Sequence, residues 1–364
     1  MTIQAHFNTF DKKIYLTNHS KGYQEAKAKD EGILSAIKEA FREAGYPIID
    51  TFFQGSFAVY TAINSLDDDF DIDRALVIDA SQAPDDPIAP KKVVKKVLEN
   101  RNFKEPKIKK PCITADYQSL NLHIDYTVYA LDSCPLFGDS YKLAVGKEGS
   151  DDNNKEWSPS DPKELIGWID DAEQYGMKSL EKRKQFRRLV RYMKRWRDES
   201  FSAEVKKKLF SIGLTVMLKE QYAPGYLRKE LEDDLTVLKK VVDNILDASY
   251  LEKDFWTDNY RLSVKLPRKP GRDIFQHKVD GGRSEPGSDY NLGNQFRNKL
   301  QRLQDKLQKA QNEESEVKQC TLLNSVFGDD FPIPEEKASN AARVAAASVA
   351  YLPVAGASGT SQGA

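Results

Sequence analysis

The sequence predicts a bilobal α/β protein in which a mixed sheet carrying three aspartates is joined to a second, mainly helical lobe. Three observations lead there. Residues 70–78 and 120–129 alternate apolar and polar positions with the period of a strand, each placing aspartate on one face. From residue 161 onward, apolar positions recur with the period of a helix. The 364 residues also exceed what a single hydrophobic core usually serves.

The composition narrows the class. With 40% hydrophobic and 30% charged residues the chain is ordinary globular material. Its 55 basic and 56 acidic residues leave a formal net charge of -1, which argues against coating long nucleic acid through bulk charge. Three cysteines without metal-type spacing (Cys112, Cys134 and Cys320) fit a reducing compartment, and cytoplasm is the expectation. No apolar window suggests a signal peptide or a membrane span. The four histidines are scattered, so metal chemistry in this chain must use carboxylates.

In chain order, Ile33, Ile37, Phe41 and Ala44 mark a helix over 33–44 that Gly45 and Pro47 stop. Residues 47–53 read as a strand, Gly55-Ser56 as a turn, and 57–63 as a brief helix. The strand over 70–78 sets Asp71, Asp73, Ala75 and Val77 on one face and Ile72, Leu76 and Ile78 on the other. In 120–129, Leu122, Ile124, Tyr126 and Val128 pack while His123, Asp125 and Thr127 point the opposite way. A loop is expected over 138–155, helices over 161–174, 180–198, 211–220 and 233–248, a Gly/Pro-rich loop over 268–294, and a last long helix over 295–313. Residues 327–334 close the folded part, and from 337 the Ala/Ser/Gly composition reads as a disordered tail. The implied division is a catalytic core with N-terminal helices over 1–160, a helical lobe over 161–336 and the tail over 337–364.

Asp71, Asp73 and Asp125 are the candidate catalytic and metal-binding residues. Ionised groups inside apolar strands are costly unless paired or bound to a cation, and two like charges side by side on one strand call for one. Hard cations such as Mg²⁺ take a few carboxylates plus water and substrate phosphate. A calcium loop does not fit, because its sixth position here is Arg74 rather than glycine and its twelfth is Ala80 rather than glutamate. Three bridging carboxylates suit two metal ions that activate a sugar hydroxyl and neutralise a leaving pyrophosphate, with Asp125 as proton acceptor. The run Asp67 to Asp69 reads as a solvated turn. Gly55-Ser56, between a strand and a helical start, offers backbone N–H groups and a hydroxyl to phosphate, although alone it is only a turn. Between Glu181 and Asp198 lie nine basic residues. Arg183, Arg187, Arg191 and Lys194 flank the apolar stripe and either face a cleft or solvent, while Lys182, Arg188, Arg195 and Arg197 are read as solvated.

Gln54-Gly55-Ser56, Asp71-Ile72-Asp73 and Asp125 together resemble the signature of the DNA polymerase β-type nucleotidyltransferases. Residues 189–196 and the run Phe210-Ser211-Ile212-Gly213-Leu214 are similar to the helical lobe of oligoadenylate synthases and cyclic GMP-AMP synthase. That resemblance implies that Lys194 and Ser211 hold a donor triphosphate. The bacterial cyclic-oligonucleotide synthases of anti-phage signalling match furthest, through residues 261–267, Gly271-Arg272-Asp273 and 326–332. The resemblance implies nucleoside triphosphates as substrates, Mg²⁺ or Mn²⁺ as cofactor, and a cyclic di- or trinucleotide messenger for a downstream effector. It also implies a C-terminal Ala364 joined to other molecules by a ubiquitin-transfer-like ligase. The animal enzyme has an aromatic after the matching serine for base stacking, whereas this chain has Ile212, so stacking must come from elsewhere. A linear nucleotidyltransferase acting on RNA or protein and a catalytically silent nucleotide sensor are the alternative readings.

Overall fold

The computed structural model describes residues 2–335 apart from 18, 65, 67–69, 102, 104, 118–121, 135, 137, 269–270 and 280–282. The acidic turn 67–69 and the tail with Ala364 therefore lie outside the described residues.

The chain opens with helices α1 (Ile3–Ile14) and α2 (Lys21–Glu43), then β1 (Ile48–Phe53), the single turn α3 (Gly55–Ala58), β2 (Phe70–Asp79) and α4 (Ile88–Glu99). There follow β3 (Lys107–Ile108), β4 (Ile113–Tyr117), β5 (Leu122–Cys134), β6 (Gly138–Val145) and β7 (Glu156–Ser160). These strands form one mixed seven-stranded sheet in which β1, β2, β5, β4 and β3 lie side by side, with β6 and β7 continuing from the far half of β5. The β2–β5 pair is parallel and its described neighbours are antiparallel. The alternation read in sequence is the one observed: Ile72, Leu76, Ile78, Leu122, Ile124, Tyr126 and Val128 pack with Ile33, Ile37 and Phe41 of α2 and with α4.

The second half comprises α5 (Pro162–Asp170), α6 (Ser179–Ser200), α7 (Ala203–Lys206), α8 (Ser211–Gln221) and α9 (Asp234–Asp247). It is completed by the hairpin β8 (Leu251–Lys253) with β9 (Tyr260–Leu262), the short pair β10 (His277–Lys278) with β11 (Ser284–Glu285), α10 (Tyr290–Asn312) and α11 (Glu316–Phe327). Phe186, Leu189, Val190, Met193 and Trp196 of α6 are all buried in one helical core. Among the described residues no helix is long and apolar enough to cross a membrane.

Several expectations need correction. Residues 138–145 are a strand, because Tyr141, Leu143 and Val145 alternate inward against Tyr129 beneath a polar composition. The helix expected over 57–63 ends at Ala58, since Tyr60 takes a φ of 59° and turns the chain. The helix expected from 295 begins at Tyr290, where the Asp289 carboxylate accepts from the Leu292 N–H at 2.7 Å. Helix α1 is not part of the sheet's core: Phe7, Phe10 and Ile14 pack in the helical core, with Phe7 and Phe10 against Tyr192 and Phe331.

Behind the sheet, Asp30 of α2 is fully buried and accepts from Arg74 Nε at 2.9 Å and from the Tyr126 hydroxyl at 3.1 Å. The Arg74 guanidinium sits 3.7 Å from the centre of the Phe53 ring. Arg74 separates Asp73 from Ala75, so this cluster fixes the strand that carries the candidate site. Removing one partner strands a buried charge, and Asp30→Ala is expected to cost about 3–5 kcal/mol in urea unfolding. A loss below about 1 kcal/mol, the ordinary worth of an exposed pair, would show that the cluster does not hold β2.

Candidate active site

Parallel pairing of β2 with β5 puts Asp73 opposite Asp125 and Asp71 opposite His123. Adjacent strands lie about 4.8 Å apart, so Asp73 and Asp125 are immediate neighbours on one face. Burial pushes the Asp73 carboxyl up to about 6, and the negative charges of Asp125 and Asp71 add to the rise while Lys194 and Lys109 oppose it. Asp125 accepts from the Thr114 hydroxyl of β4, and Lys109 Nζ lies 3.7 Å from the same oxygen.

Gly55 is required where it stands. Its φ is +58°, and a Cβ there would fall 2.0 Å from Asp73 Oδ2. Only glycine lets the turn pass over the carboxylate. The turn is fastened by the Gln54 N–H, which donates to the Asp73 carbonyl at 2.8 Å. Gln54 turns its amide into the sheet rather than toward the cleft: its Nε2 donates to Thr127 Oγ1, and the Tyr129 hydroxyl donates to its Oε1 at 2.8 Å. It supports the aspartate face.

Ser56, Asp71, Lys194 and Ser211 meet in one cleft of about 340 Å³ between the sheet and helices α6 and α8. Lys194 is nearly buried; its Nζ donates to the Thr61 carbonyl at 2.9 Å. Burial, reinforced by the positive charges of Arg197 and Arg191, lowers its pKa to about 7, with Asp198 and Asp73 acting the other way. Arg197 donates to the Ser211 hydroxyl and pairs with Asp198 at 2.9 Å. Lys206 and Lys207 line the same cleft. Sequence reasoning missed Arg197, yet it lies three residues after Lys194, on the same side of the helix.

Of Arg183, Arg187, Arg191 and Lys194, which flank the apolar stripe of α6, Lys194 alone lines this cleft. Arg183 and Arg187 bind Asp170, and Arg191 binds Asp11 at 2.7 Å and the Tyr60 carbonyl at 2.7 Å. The four side chains expected to be solvated are engaged instead. Lys182 is fully buried and donates to the Tyr175 and Gly225 carbonyls, Arg188 pairs with buried Asp234, Arg195 donates to the Asn64 carbonyl, and Arg197 lines the cleft. Helical periodicity reveals the flank of a stripe but not the chain segments that cover it.

The aspartates suit a divalent ion by donor chemistry: they are hard oxygen ligands, and burial, with the charges of Asp125 and Asp71 adding to it, already disfavours the ionised form of Asp73. Among the described residues no three carboxylate, histidine or cysteine side chains converge into a preformed cage.

Residues 1–173 match the family described as Second Messenger Oligonucleotide or Dinucleotide Synthetase domain. The fold is similar to that of Vibrio cholerae DncV cyclic AMP-GMP synthase, a prokaryotic cGAS homolog, with a TM-score of 0.65 and 18% identity over 90% of this chain and 96% of that one. The same enzyme in complex with the linear intermediate 5′ pppA(3′,5′)pG gives 0.62 and 16%, covering 90% and 97%. E. coli MS115-1 CdnC with ATP gives 0.60 and 15%, covering 90% and 98%. No curated protein sequence matches the chain. Residues 1–173 are thus similar to a second-messenger oligonucleotide or dinucleotide synthetase domain, and the chain shares the fold of DncV and CdnC.

Proposed function

We propose that this protein joins nucleoside triphosphates into a cyclic di- or trinucleotide, with Asp71, Asp73 and Asp125 as the catalytic and metal-holding residues. The observation that carries the reading is that a half-buried carboxylate pair on neighbouring strands lies beside Asp71, which lines a cleft with Ser56, Lys194, Arg197 and Ser211. One side offers oxygen ligands and the other gathers positive charge, as a triphosphate beside a divalent cation requires.

In this reading Gly55 and Ser56 approach the phosphates from the sheet side, while Lys194 and Ser211 hold them from the helical side. Mg²⁺, with Mn²⁺ as a substitute, supplies the positive charge that favours the ionised attacking hydroxyl and neutralises the leaving pyrophosphate. Asp125, positioned by Thr114, accepts the proton of the attacking sugar hydroxyl. Gln54 acts as a positioning residue. The product serves a downstream effector in defence against phage, and synthesis takes place in the cytoplasm.

Incubating the protein with the four triphosphates and Mg²⁺, followed by phosphatase treatment and mass analysis, is expected to reveal a phosphatase-resistant cyclic product. Asp71→Ala and Asp73→Ala are each expected to lower its formation at least about 100-fold, as loss of a transition-state electrostatic partner does. Wild-type turnover in either folded variant rejects the site.

Lys194 provides a second test. Because its folded pKa lies near 7, bound triphosphate must keep it charged, so affinity for ATP should fall as pH rises from about 6 to about 8. Lys194→Ala should bind ATP about tenfold more weakly, a typical loss for a charge-assisted bond, with a flatter pH dependence. Exposed Lys184 on the same helix is the control, since Arg188 is held in a buried ion pair. Equal affinities of wild type and Lys194→Ala would remove Lys194 from the site.

A further inference from the structure

Two lysines stand beside the aspartates, Lys194 from α6 and Lys109 from the hairpin that joins β3 to β4. They differ in freedom. Lys194 is buried and its Nζ is committed to the Thr61 carbonyl, so it cannot leave without stranding a charge. The Lys109 side chain is 53% exposed, and its Nζ lies 3.7 Å from Asp125 Oδ1, an ion pair too long for a hydrogen bond. It can swing into water.

The main chain that carries Lys109 has no such freedom. Lys91 of α4 is fully buried, and its Nζ donates to the carbonyls of Lys109 at 3.2 Å, Lys110 at 2.7 Å and Gly146 at 3.0 Å. The Lys109 N–H donates to the Cys112 carbonyl at 2.9 Å, and buried Ile108 pairs with buried Ile113. The same hairpin brings the Cys112 thiol and the Thr114 hydroxyl onto Asp125. An isolated exposed ion pair is ordinarily worth little. Here a buried lysine fixes the turn from which the exposed one reaches the carboxylate, so the ammonium is delivered to Asp125 by the backbone.

We propose that Lys109 is the resident counter-ion of the aspartate site: it lends positive charge to Asp125 until a divalent ion enters and then gives way by rotation of its side chain. The inference rests on the reading that Asp71, Asp73 and Asp125 hold that ion. An ammonium and a divalent cation beside one carboxylate repel each other, so displacing Lys109 opposes ion binding. Lys109 thereby sets the divalent-ion concentration at which the site fills.

The test is Mn²⁺ binding to the nucleotide-free full chain, read from loss of the free-ion electron paramagnetic resonance signal, for wild type, Lys109→Gln, Lys109→Arg, Lys110→Gln and Asp73→Asn. At low salt Lys109→Gln should bind Mn²⁺ about three- to tenfold more tightly than wild type, the effect of one unit charge on a divalent ion a few ångströms away in a watery medium, and added salt should narrow the gap. Lys109→Arg keeps the charge and should bind as wild type does. Lys110→Gln removes the same charge from the exposed neighbouring position and should change affinity by less than about twofold. The proposal is overturned if Lys109→Gln binds no more tightly than Lys110→Gln, or if Lys109→Arg binds as tightly as Lys109→Gln. Weaker binding by Lys109→Gln than by wild type overturns it too, because Lys109 would then support the ion. Asp73→Asn separates this inference from the functional reading. Undiminished binding in Asp73→Asn rejects the metal site itself, as does absence of binding in every protein, whereas binding lost there but unaltered in Lys109→Gln rejects the counter-ion alone.

Discussion

The parallel pairing of β2 with β5 is the constraint on which the rest of the site depends. It sets Asp73 beside Asp125 on one face of the sheet, where burial and like charge disfavour ionisation. The opposite face compensates mechanically. Arg74 is anchored by Asp30 and lies over Phe53, so the strand cannot rotate its aspartates away without breaking a buried ion pair. Gly55 then lets the turn from β1 lie against the Asp73 carboxylate, where any side chain would collide.

A second set of contacts joins the segment after Ser56 to the helical half. Arg191, Lys194 and Arg195, successive members of α6, donate to the carbonyls of Tyr60, Thr61 and Asn64. These bonds satisfy the backbone of an irregular segment whose Tyr60 has a positive φ. Lys194 therefore serves two structures: it braces the segment after Ser56 and lines the cleft. Arg191 also holds Asp11 of α1, tying the first helix to the same segment.

The strands that bear the aspartates were legible because their apolar residues alternate without interruption and each aspartate breaks the pattern on one face. The helical half was legible for the same reason at a different period. What escaped were features that depend on distant partners. Arg187 and Arg191 read as facing either a cleft or solvent, and Arg188 as solvated, until Asp170, Asp11 and Asp234 come from elsewhere in the chain to meet them. Gln54 belongs to a motif expected to touch phosphate, yet Thr127 and Tyr129, more than 70 residues away in sequence, take its amide into the sheet. Strand β6 was hidden by Gly138, Asp139 and Ser140, since composition outweighed the alternation of Tyr141, Leu143 and Val145.

The central claim is that the aspartates form a like-charged site awaiting a cation, and the thermal midpoints of wild type and Asp73→Asn, compared across pH with and without Mg²⁺, test it most directly. The Asp73 pKa rises on folding from 3.8 to about 6, so its ionisation costs stability that is fully felt above pH 6 and fades as pH falls toward 3.8. Without metal, Asp73→Asn should be the more stable protein near neutral pH, by on the order of 2 kcal/mol, with the advantage shrinking in acid. Mg²⁺ should stabilise wild type and largely fail to stabilise the variant. Equal midpoints of the two proteins at every pH, together with no response of wild type to Mg²⁺, would contradict the account.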